Sequence, residues 1–468
     1  MDNIECSSCG YFGSGEDFTK GNRTHNGHKG RCKKCKAEID AKYRKKKDVM
    51  PKPFIPEANI LINKKAYIGV LKLQKITDRR FGKQSKRIGL NFGMKAILSE
   101  LKELHEVCYP ETINNYKTIL ISLTSVMDVE NLIYTFEKFC PDKITSKIIV
   151  GGFGVINIKL IIPYIDVAVF GRAEGIINEI INGFTFSNVW RKEYDSLLER
   201  KYTIRQPQYL LDGEVSVGCR NRCSYCQYAH IRQPIGKAIK YNPGKSISTQ
   251  ETDWHGLVVD KPGKYITAWD GWSEETRIRV NKHISDNDII DKLTDIGNNN
   301  DIDGTVSLKT YQIVGYPWET EQSVMNDIDN VAAMLGMIDM NITNKITLAF
   351  YVTPFGPEPL TPMQDESVDL FINWRELLGG MKIYYGKHIK AFIITAISGP
   401  FTLFKRMWIN RADIDDIDLF KSVVFDRRIR TMPDKYRMKW LYDNKIIDIE
   451  RINKKNSCDY LGVGGSIP

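Results

Sequence analysis

Between residues 58 and 195, short apolar runs that end in turn residues alternate with stretches of helical spacing. The runs are "KAYIGVL", "TILISLTS", "KIIVGGFG" and "IDVAVFG", while "MKAILSELKELHEV" and "DVENLIYTFEKF" carry apolar residues three and four positions apart. Runs this short read as strands and the spacing reads as amphipathic helix. Strand and helix in alternation imply a parallel sheet, with ligands expected at the carboxyl ends of its strands. The chain has 468 residues, more than one core uses, so further domains are expected.

Ten cysteines narrow the chemistry. No apolar run approaches the roughly 18 to 20 residues that span a bilayer, and the start MDNIECSSCG has no basic or apolar leader character. A cytoplasmic chain with no membrane contact is therefore expected, and there thiols read as metal ligands or buried groups rather than as a disulfide framework. The stretch "GCRNRCSYCQYAH", residues 218–230, sets Cys219, Cys223 and Cys226 in one loop after "GEVSVGC", which reads as a strand. Thiolates hold iron-sulfur clusters, and a cubane takes four ligands. Three cysteines leave one iron open for a substrate or cofactor. An unrelated metal loop is the other reading of the same spacing.

The Cys-x3-Cys-x2-Cys spacing, with Tyr225 directly before the last cysteine, resembles the signature of the radical S-adenosylmethionine (SAM) superfamily. The resemblance implies a [4Fe-4S] cluster that SAM chelates, an electron donor, and a 5'-deoxyadenosyl radical that abstracts hydrogen. Downstream, "KYITAWDGWSEETRIRVNKHISDNDII" and "SLKTYQIVGYPWETEQSV" look like later units of the superfamily's partial (β/α) barrel, with Ser273 and Arg277 in one turn and Gly315, Pro317, Glu319 and Thr320 in the next. Barrel chemistry sits at strand carboxyl ends. The resemblance thus places Asp270, Ser273 and Arg277 at the polar end of SAM, and Ile313 and Gly315 beside its adenine. The competing reading makes Arg277 and Arg279 solvated helix residues and Glu319 a helix cap. Only about 40 residues separate Cys226 from "YITAWDG", whereas two full β/α units need roughly 60 or more, so an abbreviated barrel is expected, with "HGLVVD" as the intervening strand and Asp260 as a further candidate.

The earlier region, through "NFGMKAILSELKEL", "ISLTSVMD", "IIVGGFGVIN" and "DVAVFGRAEGIINEII", resembles the cobalamin-binding-type, Rossmann-like domain found in many radical SAM enzymes. By that resemblance Ser122 and Thr124 lie where a corrin tail approaches, and Gly151 and Gly152 permit close backbone approach. The family's Asp-x-His-x-x-Gly loop is absent, and His105 falls within a helical pattern as a surface residue. Cobalamin, if bound, lacks that axial ligand.

At the other end, Cys6, Cys9, Cys32 and Cys35 form two Cys-x2-Cys pairs in a segment without apolar periodicity. That spacing suits a tetrahedral Zn²⁺ site whose metal supplies the folding energy. The segment is similar to zinc knuckles of phage and bacterial nucleic-acid enzymes. The basic run "KKCKAEIDAKYRKKK", residues 33–47, reads as a phosphate-attracting patch or as a solubilising helix end before a proline-marked linker. The expected layout is a zinc knuckle at 1–40, a linker at 41–57, the Rossmann-like domain at 58–195, the barrel at 196–400 and a C-terminal region at 401–468. The C-terminal region reads as amphipathic packing or as a substrate-facing surface. A radical SAM enzyme with nucleic acid as first partner is the leading expectation. A tRNA methylthiotransferase would bring three further cysteines, where only Cys108 and Cys140 lie in the Rossmann-like region, and a nucleic-acid-binding protein with a structural or redox-sensing cluster is the rival from outside enzymology.

Overall fold

The computed structural model describes residues 4–5, 12–13, 34, 68–74, 91–193, 202–205, 216–219, 221–232, 235–236, 253–395 and 398–454. The chain divides into two units, Met1–Asn63 and Lys64–Pro468. In the first, β1 (Ile4–Glu5) and β2 (Phe12–Gly13) pair antiparallel. Cys6, Cys9, Cys32 and Cys35, and the basic run except Lys34, lie outside the described residues.

The second unit holds two mixed α/β layers. The first sheet comprises β3 (Ile68–Leu71), β4 (His105–Cys108), β5 (Thr118–Ser122), β6 (Lys147–Gly151), β7 (Val167–Val169) and β8 (Val189–Arg191), in the order β4-β3-β5-β6-β7-β8. All neighbours are parallel except β7 and β8. β5, β6 and β7 read as near-continuous apolar runs because both their faces are covered. Helices α1 (Phe92–Glu100), α2 (Asp128–Phe139) and α3 (Ile177–Ile181) accompany them. The chain steps from β3 outward to β4 and then back across to β5, so a switch point falls beside β3, where open sheets take ligands.

One expectation is corrected here. The helical spacing through "LHEV" does not continue: α1 ends at Glu100, and His105 opens the edge strand β4, exposed as expected but on a strand. Backbone pairing wins, because without β4 the outer edge of β3 would keep unanswered amide and carbonyl groups.

After β9 (Ser216–Val217), α4 (Gln227–Ile231) and β10 (Ile235–Gly236), the second sheet contains β11 (Gly263–Ala268), β12 (Thr305–Val314), β13 (Lys345–Pro354), β14 (Lys382–Tyr385) and β15 (Ile389–Thr395). Its order is β11-β12-β13-β15-β14, parallel except for edge strand β14. Helices α5 (Glu274–Arg279), α6 (Asp286–Asn298), α7 (Glu321–Asp339) and α8 (Trp374–Leu378) connect these strands. The expected barrel thus takes the form, among the described residues, of an open five-stranded sheet. The strand before the cysteines, β9, pairs antiparallel with β10 instead of joining it. "HGLVVD" is not a strand but turn and irregular chain, anchored by the preceding Trp254, which meets Trp269 edge-on at 5.5 Å, and Asp260 is exposed.

The C-terminal helices α9 (Pro400–Arg411), α10 (Ile417–Val424), α11 (Arg427–Thr431), α12 (Asp434–Asp443) and α13 (Ile449–Lys454) close the unit. Of the two readings for this region, packing holds. Phe404, Trp408 and Leu441 share one core with Leu132, Ile133 and Ile158 of the first layer. Asn157 Nδ2 donates to the carbonyls of Ile409, Asn410 and Ala412 at 3.0, 3.2 and 3.0 Å, and Lys405 Nζ meets Glu130 at 2.6 Å.

Candidate cysteine-loop centre

The cysteine loop is held from both sides. Gly218 (φ +81°) donates its N–H to the Tyr228 hydroxyl at 3.1 Å, and the Cys226 N–H reaches the Cys223 carbonyl at 3.0 Å. Asn281 Nδ2 donates to the carbonyls of Asn221 and Arg222, each at 3.0 Å, and the Val280 carbonyl accepts from Ser224 N–H at 2.9 Å. From the proline-rich loop after β13, Met363 N–H reaches the Ser224 carbonyl at 3.2 Å, and the Pro359 carbonyl accepts from Gln227 at 3.0 Å. Five non-glycine residues among those described have left-handed backbone: Arg222, Asp270, Asn281, Leu360 and Lys445. Four belong to this loop or to the segments that bind it. Each costs roughly 1–2 kcal/mol, and such strain gathers where a site fixes its geometry in advance.

The charges are equally local. Lys282 Nζ lies 2.9 Å from Asp270 Oδ2, both side chains being about nine-tenths buried. Burial works against the Lys282 ammonium, but Asp270, Cys223 and Cys219 outweigh it and raise its pKa above the ordinary lysine value. Burial pushes the Cys223 thiol up to about 12, with Lys282 pulling the other way, and burial likewise raises Cys226. Burial, with Asp270 and Tyr316 adding to it, keeps the Tyr225 phenol well above its usual range. His230 Nε2 donates to the Cys223 carbonyl at 3.0 Å, and burial lowers the pKa of that ring. Among the described residues no three His, Cys, Asp or Glu side chains converge on one ion. A cubane asks something different, because each thiolate holds its own iron. Three thiols on one short loop, with a buried cation that pulls the Cys223 thiol toward its ionised form, fit such a cluster.

The other residues expected around SAM divide. Asp270 and Tyr225 do meet the cysteine loop. Arg277, expected to meet a carboxylate of SAM, turns instead to the protein's own groups. Its guanidinium is fully buried: Nε donates to the Ile284 carbonyl at 2.7 Å, NH1 to Gly271 and Trp272 at 3.2 and 2.9 Å, and NH2 to Asp286. Every donor group on it is spent folding residues 271–286. Ser273 is the N-cap of α5 and accepts from Thr276 N–H. Gly315 (φ +75°) leaves room for Trp374, since a Cβ there would stand 2.6 Å from the indole nitrogen. Its N–H and that of Tyr316 donate to Glu319 at 2.8 and 3.1 Å, so Glu319 closes that turn. Ile313 packs partly buried near the end of β12. Sequence reasoning passed over Asn281, Lys282, Tyr316, His230 and Gln227. "RVNKHIS" carried one signal for the first two, an Asn in a break between two helices, where left-handed backbone is common.

At the first sheet's carboxyl end a cavity of about 340 Å³ is lined by residues that include Ser122, Thr124, Gly151 and Gly152. The two hydroxyls already have partners: Ser122 accepts from Asn91 Nδ2 at 2.8 Å, and Thr124 donates to Asp128 at 2.7 Å. Gly152 is demanded by the protein itself, because at φ +109° a Cβ would stand 2.5 Å from the Leu123 carbonyl oxygen. Gly151 meets no such obstacle and faces open cavity.

No family model matches the chain, and no curated protein matches it. Among solved structures it is similar to the cobalamin-dependent S-adenosylmethionine radical enzyme OxsB. The apo, selenomethionine-labelled form has 13% identity and a TM-score of 0.24, covering 81% of this chain and 61% of that one. The form with aqua-cobalamin and S-adenosylmethionine bound has the same identity and TM-score, covering 82% and 56%. The form with aqua-cobalamin alone has 12% identity and a TM-score of 0.24, again covering 82% and 56%. The chain therefore spans less than two thirds of those proteins' length. The likeness is loose, and the residues of the cysteine loop carry the functional argument.

Proposed function

We propose that this chain is a radical SAM enzyme in which Cys219, Cys223 and Cys226 hold a [4Fe-4S] cluster. The observation that carries the reading is the strained loop of three cysteines, tied by Asn281 and set against the buried Lys282–Asp270 pair. When bound, such a cluster supplies the electron that cleaves the sulfonium of SAM and releases a hydrogen-abstracting 5'-deoxyadenosyl radical. The chain's own part is to hold and shield. Asn281 fixes the loop's carbonyls, Lys282 offsets the charge of the thiolates, and Tyr225 and Tyr316 wall off the Asp270 side from water. The cavity at the first sheet's carboxyl end suits the tail of a corrinoid, with Gly151 open to it. In the first unit, Cys6, Cys9, Cys32 and Cys35 would hold Zn²⁺, and the basic run after them would meet nucleic acid.

Anaerobic reconstitution tests the centre. About four irons per chain on the cysteine loop, and 5'-deoxyadenosine released from SAM under strong reductant, are expected. A preparation with neither ends the proposal. Chelation of Zn²⁺ should weaken nucleic-acid binding and leave the iron in place.

A further inference from the structure

The cavity at the carboxyl ends of β5, β6 and β7 continues into a second, smaller chamber of about 50 Å³. Gly152, Phe153, Gly171, Arg172 and Arg232 line both. The walls of the larger chamber are mostly apolar, from Met94, Ile97, Leu120, Ile149 and Ile177. The smaller one is bounded by three guanidinium-bearing residues, Arg172, Arg205 and Arg232.

Their placement is set by the backbone. Gly171 bridges Arg205 in parallel register, Arg205 N–H donates to the Phe170 carbonyl at 3.2 Å, and Arg172 N–H to the Arg205 carbonyl at 3.4 Å. Two arginines are thereby laddered side by side at a strand end. Arg232 arrives from the opposite direction, just past α4 of the cysteine loop, over the rings of Tyr228 at 5.2 Å and Phe153 at 5.9 Å. Arg172 has a carboxylate neighbour, Glu174, at 3.4 Å. Arg205 and Arg232 have none among the described residues, and Arg205 NH1 is buried without a hydrogen-bond partner. By comparison, Arg411 donates to four carbonyls and Arg277 to three carbonyls and a carboxylate. Positive charge left over in a cleft, next to an apolar chamber, is complementary to an organic phosphate. Guanidinium forks bond phosphate oxygens in pairs, and an apolar chamber takes a flat base.

We propose that the small chamber binds the phosphate of a nucleotide group through Arg172, Arg205 and Arg232, while the base occupies the larger chamber. The phosphate belongs to a free nucleotide or to the nucleotide tail of a corrinoid. The second source rests on the corrinoid reading above, and neither source depends on the cluster.

Titration calorimetry on the full chain distinguishes them, with AMP against adenosine and hydroxocobalamin against cobinamide, which lacks the nucleotide tail. One phosphate-bearing member should bind, and Arg205→Gln should weaken it by about tenfold or more while leaving its phosphate-free counterpart unchanged. Arg232→Gln, on a separate element, should do the same and guards against a folding defect at Arg205. AMP alone responding identifies a free nucleotide; hydroxocobalamin alone responding identifies a corrinoid tail. Binding by neither pair, or binding indifferent to both substitutions, overturns the proposal. Iron content and SAM cleavage, read on the same preparations, report separately on the cysteine loop, so failure of one does not mimic failure of the other.

Discussion

At the carboxyl end of β11 and β12, Asp270, Arg277, Lys282 and Glu319 are each answered by another group of the protein, whereas at the carboxyl ends of β5 to β7 Arg205 and Arg232, the latter lying over the Tyr228 ring, have no carboxylate partner among the described residues. The first end is a socket finished in advance. Its buried ion pair neutralises itself, and its left-handed residues are locked by hydrogen bonds. The second end is unfinished electrostatically and would be completed by a ligand's charge. A preformed socket suits a cofactor that must be held at one orientation, and an unanswered charge suits a ligand that comes and goes.

The comparison breaks most sharply at Cys223. Cys223→Ala should abolish iron binding on the loop and SAM cleavage altogether, while leaving phosphate-dependent binding at the arginines intact; iron analysis and calorimetry on one sample read both. Next in size is Lys282→Met, which strands a buried carboxylate. Losing one partner of such a pair costs about 3–5 kcal/mol, so a large fall in the denaturant midpoint is expected. The double variant Lys282→Met, Asp270→Asn should recover part of it, as coupled neighbours do. If the two substitutions simply add, the socket is not closed as described.

Arg277→Met leaves four acceptors unanswered and should destabilise the fold by about 3 kcal/mol, with SAM affinity of the folded protein unchanged. Normal stability with weakened SAM binding would restore the role its sequence position implied. That position shows why parts of the site were legible and others were not. The cysteines announce themselves because all three lie within eight positions. Apolar runs likewise locate β5, β6, β11, β12 and β13. The Ser-x-x-x-Arg spacing places Arg277 on a helix but not the direction of its guanidinium, which depends on carbonyls as far along as Ile284. Asn281 finds its partners 60 and 59 positions upstream, and Arg205 meets Arg172 only through a bridge across the sheet. Local patterns carry no record of such pairings. At "LHEV" helical spacing and edge pairing compete for the same residues, and the partner strand decides.

Asn281 separates backbone strain from bonding. Asn281→Ala loses both side-chain hydrogen bonds and keeps the left-handed backbone, and it should cost about 2 kcal/mol. Asn281→Gly removes the strain but not the loss of the bonds, so it should be the milder change. Both should shed iron faster than wild type on exposure to chelator. Equal iron retention in all three would mean that the clamp does not hold the loop.

The smallest effect concerns pH and the turn after β12. Burial raises the Glu319 carboxyl to about 7 from an ordinary 4.5, against the pull of the Tyr316 and Gly315 amides. A carboxyl whose folded value lies above its unfolded one keeps its proton longer in the folded chain. Its contribution is therefore complete below about 4.5 and is lost as pH rises through about 7, because there the unfolded chain has already released the proton at no cost. Glu319 is only partly buried, so the loss should be on the order of 1 kcal/mol rather than the full equivalent of the shift. Glu319→Gln keeps an acceptor for the two amides and removes the titration. Denaturation midpoints measured across that window should fall with pH in the wild type more steeply than in the variant. Parallel slopes would show that this carboxyl stays ionised throughout, and then the turn after β12 would carry a partly buried charge held by two amides without a counter-ion, weakening the contrast between the two sheet ends.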